Sequence, residues 1–291
     1  MTAIPFDPDW LAGLHARAQQ AARSPRLPLL WDGWALGSVD SALLPALFAQ
    51  QPHWQHGAQP ADSQQLPSLR LCVHAGQSAW QLQGAASASD ALNALALALR
   101  QTGLGGVERQ WRDEQLAVCD ADGQVRATVE RGAVRALGIA TRAVHLVGRT
   151  PSGQVWVQQR ALTKSSDPGK WDTLVGGMVP ASDDVAQALA RETWEEAGLH
   201  LQALEHLRWA CAIQLARPGV SHSGYLLEHV DCYVATLPDS LQPTNQDGEV
   251  LQFACLPIDA LQSMLQNDAF TLEAALLLVR CLDPECSVPG Q

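Results

Sequence analysis

The sequence predicts an α/β protein built as two units, a smaller α+β unit over residues 1–130 and a larger one over 131–291. Three observations carry this. The chain has 291 residues, enough for two buried cores. Its 47% apolar and 17% charged content is that of a soluble globular protein. Past residue 140, strand-like runs lead through a glycine pair into one long helix, return to strands and close on two helices.

Taken in order, residues 8–23 carry Trp10, Leu11, Leu14, Ala18 and Ala21 at the spacing of an amphipathic helix. Strands over 26–30 and 34–39 flank Asp32-Gly33, a tight hairpin turn. Ser41 caps a short helix to residue 50, and the Gln-, Pro- and His-rich run 51–66 reads as a loop. Strands over 69–74 and 78–83 form a second hairpin, and an Ala/Leu helix over 90–101 begins at Ser87 or Ser89. Strands over 116–119 and 124–129 flank Asp120-Ala121-Asp122-Gly123, a turn that lacks the further ligands of a calcium loop. No grouping of polar residues in this first unit implies chemistry.

In the second unit, 130–137 reads as a helical junction, and 143–148 and 154–159 as strands. Leu174-Val175 is an apolar run into Gly176-Gly177. The central helix covers 182 to about 197: Ser182 offers an N-cap hydroxyl, Asp183 and Asp184 suit the positive end of the dipole, and Gly198 suits a left-handed stop. Strands over 204–215 and 225–237 meet at a turn over 219–224, a further strand covers 250–255, and helices cover 258–266 and 272–281.

On the central helix Glu192, Glu195 and Glu196 stand at i, i+3 and i+4 and share one face. Three adjacent carboxylates repel one another unless a cation joins them. Hard divalent ions such as Mg²⁺ take such oxygen ligands and bind substrate phosphates as well. Arg191 lies eight residues beyond Asp183, within reach of a brace between loop and helix. A solvated acidic face is the plain alternative for a bare Glu-Glu pair. Fixing Gly177, Arg191, Glu192, Glu195, Glu196 and Gly198 together, at usages of roughly 5–7% each, leaves only ~10⁻⁵ chance matches in a chain this long.

This segment resembles the Nudix box, G-x5-E-x7-R-E-U-x-E-E-x-G-U with U a bulky apolar residue: Gly177, Asp183, Arg191-Glu192-Thr193, Trp194, Glu195-Glu196, Gly198-Leu199. Two positions depart from it. Asp183 stands for Glu and, one methylene shorter, predicts a longer or missing brace to Arg191; Thr193 stands for an apolar residue. The resemblance implies an α/β/α sandwich with a mixed sheet. It implies that Glu192, Glu195 and Glu196, with the Gly176 carbonyl, hold Mg²⁺ or Mn²⁺, and that water attacks a diphosphate with Glu192, Glu195 or Glu249 as catalytic carboxylates. Flanking runs, Arg160-x3-Lys164-x3-Pro168-Gly169-x-Trp171-Asp172 and Pro243-x-Asn245-x-Asp247-Gly248-Glu249-Val250, resemble a subgroup with a long N-terminal extension labelled thiamine pyrophosphokinase-related. That resemblance implies a nucleoside-diphosphate-like or thiamine diphosphate-like substrate cleaved to the monophosphate.

Arg160, Lys164 and Lys170 are the dense basic residues ahead of the box and candidate diphosphate partners. Trp171 either stacks on a substrate ring or belongs to the core. Glu249 either joins the metal site or is an exposed loop carboxylate.

A net charge of −11 argues against nucleic acid or an anionic membrane as partner, and the resemblance implies a small-molecule diphosphate instead. The seven cysteines are scattered with no C-x2-C pair, so free thiols rather than a zinc site are expected. Asp7 and Asp9 without a basic-then-apolar run suggest no signal peptide, and the apolar run 91–99 is too short to span a bilayer, so a cytoplasmic protein is expected. Oligomeric state stays open. Two rivals share the fold: an isopentenyl-diphosphate isomerase, for which 143–177 lacks the needed cysteine, and a non-catalytic diphosphate sensor.

Overall fold

The computed structural model describes residues 6–56, 67–219 and 224–282. Cys286, most of the expected 51–66 loop and the middle of the 219–224 turn lie outside them.

The chain opens with α1 (Pro8–Ala18), capped by Asp7, whose carboxylate accepts from Trp10 N–H at 2.8 Å. It ends five residues short of the expected 23, because Gln20 N–H is drawn into a bond to the Ala216 carbonyl at 2.7 Å. The next elements are β1 (Arg26–Trp31), β2 (Trp34–Asp40), α2 (Leu43–Gln50), α3 (His53–His56), β3 (Ser68–His74), β4 (Gln77–Gln83) and α4 (Ala88–Gln101). The two hairpins join through parallel β1 and β4 into a four-stranded sheet, β2-β1-β4-β3. Ser87, the first of the two expected caps, accepts from Asp90 N–H at 3.1 Å.

α5 (Val107–Gln110) then precedes a separate ribbon, β5 (Gln115–Cys119) and β6 (Val125–Glu130). The 120–123 segment is the expected turn, Asp120 accepting from Asp122 and Gln124 N–H. The expected helix over 130–137 is replaced by a strand end and a single 3₁₀ turn, Arg131–Ala133. Buried Glu130 causes this: its carboxylate accepts Arg112 N–H and Gly132 N–H and holds the turn tight.

The remaining strands are β7 (Ala140–Arg149), β8 (Val155–Arg160), β9 (Trp171–Asp172), β10 (Val175–Met178), β11 (Glu205–Pro218), β12 (Tyr225–Thr236) and β13 (Val250–Leu256); the helices are α6 (Val185–Ala197), α7 (Ile258–Gln266) and α8 (Leu272–Leu282). They build one mixed sheet, β11-β12-β7-β8-β13, in which β12 and β7 run parallel. β7 and β8 pair only near their shared turn; then β7 takes β10 as partner and β8 takes β9. The sheet forks there.

Three cores follow from this order. One fills the N-terminal sheet and α4, and reaches Ile139. A second packs α1, α7 and α8 on one face of the large sheet, and a third packs α6 on the other. The result is the expected α/β/α sandwich with a smaller α+β unit ahead of it. α1 belongs to the sandwich, since Leu14 and Ala18 are buried in the second core.

α6 begins two residues later than expected. Asp184, not Ser182, is its N-cap and forms a capping box with Gln187 at 2.8 Å in both directions. Gly198 ends it at φ 63°, as expected. Thr193 is fully buried in place of an apolar residue, and its hydroxyl is satisfied by the Leu189 carbonyl at 2.6 Å.

Candidate active site

The fork brings together the end of β10, the exposed turn of α6, Gln158 of β8 and the loop after β8. Glu196 is 1% exposed, and its Oε2 accepts from Gly176 N–H at 2.9 Å and from Gln158 Nε2 at 2.8 Å. Burial first, then the adjacent Glu192 carboxylate, pushes Glu196 up to about 8. Burial also raises Glu192, with the Arg191 guanidinium acting against it.

Arg191 organises the rest of the box. Its Nε donates to Asp183 Oδ2 at 3.0 Å, and its Nη1 to Glu192 at 3.0 Å and to Glu195 at 2.8 Å. The brace expected to be longer or missing is therefore made in full. The shorter side chain suffices because a turn, Asp183 N–H to the Pro180 carbonyl at 3.1 Å, carries Asp183 toward the helix. Glu195 is the most exposed of the three glutamates.

Two glycines allow the close approach. A β-carbon on Gly177 would lie 2.6 Å from Glu192 Cγ and closer still to its carboxyl carbon. One on Gly176 would lie 2.5 Å from His145 Cε1. His145 is itself 7% exposed, with Nδ1 2.8 Å from the Thr173 hydroxyl. That hydroxyl spends its proton on the Val175 carbonyl at 2.8 Å, so the imidazole carries its hydrogen on Nδ1. Burial lowers its pKa and keeps it neutral.

Lys164 ion-pairs with Glu249, and Glu196 and Glu192 act on its charge. Glu249 thus reaches the site through Lys164, while its own side chain is half-exposed. Arg160 is held by Asp172 at 3.3 Å and by the Ser166 carbonyl. Lys170 and Trp171, expected at the substrate, are placed elsewhere. Lys170 donates to the carbonyl and carboxylate of Asp268. Trp171 is sealed between β8 and the segment before α8, with backbone bonds to Ala269 and Thr271, and its ring packs on the second core.

Two cavities flank Gly176–Met178. The smaller, about 150 Å³, has a floor of His145, Asp172, Glu228, Thr271 and Glu273. Burial and the neighbouring Glu273 carboxylate push Glu228 up to about 7. The larger, about 670 Å³, lies between the two units, and Arg131, Arg135, Ser166 and Met178 border both cavities. His145, Glu228, Thr271, Glu273, Arg131 and Arg135 belong to no motif; they come from distant segments, and nothing in the sequence marks them.

The donor set fits a hard divalent cation. Glu192 and Glu196 are carboxylates crowded together away from water, and Gln158 Oε1 beside them is buried without a hydrogen-bond partner. The six described cysteines are free, yet Cys211, Cys232 and Cys281 converge from β11, β12 and α8, their sulfurs within 4.8 Å of one another. They lie on the α8 face of the sheet, away from the box.

A family model described as the NUDIX domain matches residues 140–276. Residues 140–276 are a NUDIX domain. The chain is 30% identical over 155 residues to Nudix hydrolase 24, chloroplastic, of Arabidopsis thaliana, covering 52% of this chain and 42% of that protein. It is 30% identical over 146 residues to Nudix hydrolase 20, chloroplastic, of the same plant, covering 49% and 38%. Similarity to the uncharacterized protein YJR142W of Saccharomyces cerevisiae runs over 195 residues at 25% identity, 62% of this chain and 56% of that one, and so extends past the NUDIX domain. The aligned stretch spans about two fifths of the two plant relatives. No described helix is long and apolar enough to cross a membrane.

Proposed function

We propose that the chain hydrolyses a diphosphate linkage and releases a monophosphate, with Mg²⁺ or Mn²⁺ held by Glu192, Glu195, Glu196 and the Gly176 carbonyl. Such an ion, when bound, supplies positive charge against the phosphoryl oxygens and acidifies water. The observation that carries the reading is the pair of desolvated carboxylates, Glu192 and Glu196, packed against Gly176-Gly177, which line the smaller cavity.

The remaining steps fall to side chains. Glu192, whose pKa is raised and which is only 14% exposed, is better placed than Glu249 to accept a proton from water. Glu249 holds Lys164, whose ammonium then faces the phosphates. Asp183 and Arg191 keep the loop and helix in register. Lys170 and Trp171 serve the fold, and Arg160 fixes the loop that carries Lys164.

The finer substrate reading is a thiamine diphosphate-like compound. It is supported by Glu228 on the floor of the smaller cavity, which suits a cationic or amino-bearing ring, while its neighbours Asp172 and Glu273 are paired with Arg160 and Arg217. The test is monophosphate release with Mg²⁺ across thiamine diphosphate, nucleoside diphosphates, dinucleotides and coenzyme A, for the wild type and Glu196→Gln. Turnover confined to the wild type is expected; equal, negligible turnover in both would overturn the hydrolase and favour a diphosphate sensor.

A further inference from the structure

The larger cavity has a wall that the proposed hydrolysis has not used. Arg109, Arg112, Arg131 and Arg135, all from the segment ahead of the NUDIX domain, line it, with Glu108 as their acidic companion there. In a chain with 19 basic residues and a net charge of −11, four arginines on one wall run against the composition. Like charges brought together raise the energy of the fold unless something anionic repays it. Two of the four have partners: Arg131 pairs with Glu114 at 2.7 Å, and Arg112 donates to the Trp111 carbonyl and to Ser165 across the unit boundary. Arg109 and Arg135 donate no side-chain hydrogen bond to any described residue. Arg131 also acts on the charge of Glu192, so the wall stands beside the box itself.

We infer that this wall binds the terminal phosphate of the substrate. Planar guanidinium groups match phosphate oxygens in pairs, which is what a cavity edge offers with Arg109 and Arg135, neither held by a side-chain hydrogen bond to a described residue and Arg135 acting on Glu228 through charge alone. The smaller cavity, with Glu228 on its floor, then takes the other end, and the scissile bridge lies between them at Gly176–Met178. This rests on the hydrolase reading and sharpens it. The substrate is a monoester of diphosphate, with one end free and doubly charged, joined to a cationic or amino-bearing ring; a diphosphate capped at both ends lacks the group the wall recognises. The N-terminal unit is on this account part of the binding site.

The test is calorimetric binding of inorganic pyrophosphate to the full chain in chelator, so that the arginines rather than a metal carry the affinity. Arg109→Ala and Arg135→Ala should each weaken binding about tenfold, and Lys at either position should restore part of it. Arg109→Ala strands no partner, Arg135→Ala removes a charge that acts on Glu228, and an unchanged melting curve verifies the fold of each. With metal, the double variant should raise KM for a diphosphate monoester and leave KM for a doubly capped diphosphate unchanged. Pyrophosphate affinity equal to wild type in the double variant overturns the wall as a phosphate site, whatever the turnover. Loss of that affinity in a chain that hydrolyses nothing keeps the wall and sinks the hydrolase.

Discussion

The backbone of Gly177 lies against the side chain of Glu192 with no room for a methyl group between them: a β-carbon would come within 2.6 Å of Glu192 Cγ. Gly177 is not in the left-handed region, so the demand is one of space alone. Gly177→Ala should therefore push Glu192 aside, cutting kcat on the order of 10²-fold. The melting temperature should fall as well, because Glu192 is only 14% exposed and has little room to move into. A wild-type kcat would show that Glu192 is not where the chemistry occurs.

The brace between Arg191 and Asp183 joins two partly exposed side chains, so its worth is modest. Asp183→Ala should cost about 0.5–1 kcal/mol, a fall in Tm of roughly 2–4 °C for a unit of this size. Asp183→Glu should keep wild-type stability. Thermal unfolding followed by circular dichroism decides it.

Divalent ions should stabilise the chain through the same carboxylates. At a Mg²⁺ concentration about 100 times its Kd, binding to the native state adds about 2.7 kcal/mol. Chelator should reverse the rise in Tm, and Glu192→Gln combined with Glu196→Gln should abolish it. An undiminished rise in that double variant would place the ion elsewhere.

Glu228 gives the pH dependence. Its pKa lies near 7 in the fold and at 4.5 without it, so the native state holds the extra proton between these values. Stability should fall as pH climbs from about 4.5 through 7 and, because Glu196 is raised as well, on to about 8 before it levels off. Affinity for a cationic ring should do the opposite, tightening as Glu228 ionises through pH 7. Glu228→Gln should flatten the ring-binding curve and lessen the slope of the stability curve, Glu196 keeping the rest, and a ring-binding profile that keeps its slope in this variant would remove Glu228 from the site.

The box was readable because its chemistry is local. Glu192, Glu195 and Glu196 share a face by helical geometry, Gly198 must stop the helix, and Gly177 must be small, all within one short stretch. The same locality set the hairpins at Asp32-Gly33 and Asp120–Gly123. What escaped needed partners from afar. His145 sits in a strand buried on both faces and looks like any core residue until Gly176 is laid against it. Lys170 and Trp171 read as substrate ligands because they precede the box, but Asp268 and the second core claimed them first. Glu130 turned an expected helix into a 3₁₀ corner by capturing the Gly132 amide beside it and the Arg112 amide eighteen residues earlier, a bond no local propensity encodes.

α1 and α8 pack together on the sandwich, and Arg17 reaches Asp268 at 2.7 Å, although the arginine-bearing unit lies between them in sequence. That unit is thus carried like a bead looped out of the sandwich's own thread. Trimming the chain progressively from its front would peel a helix off the catalytic sheet before it touched a single residue of the bead, so only an internal excision that rejoins α1 to β7 could ask whether the sandwich works without it.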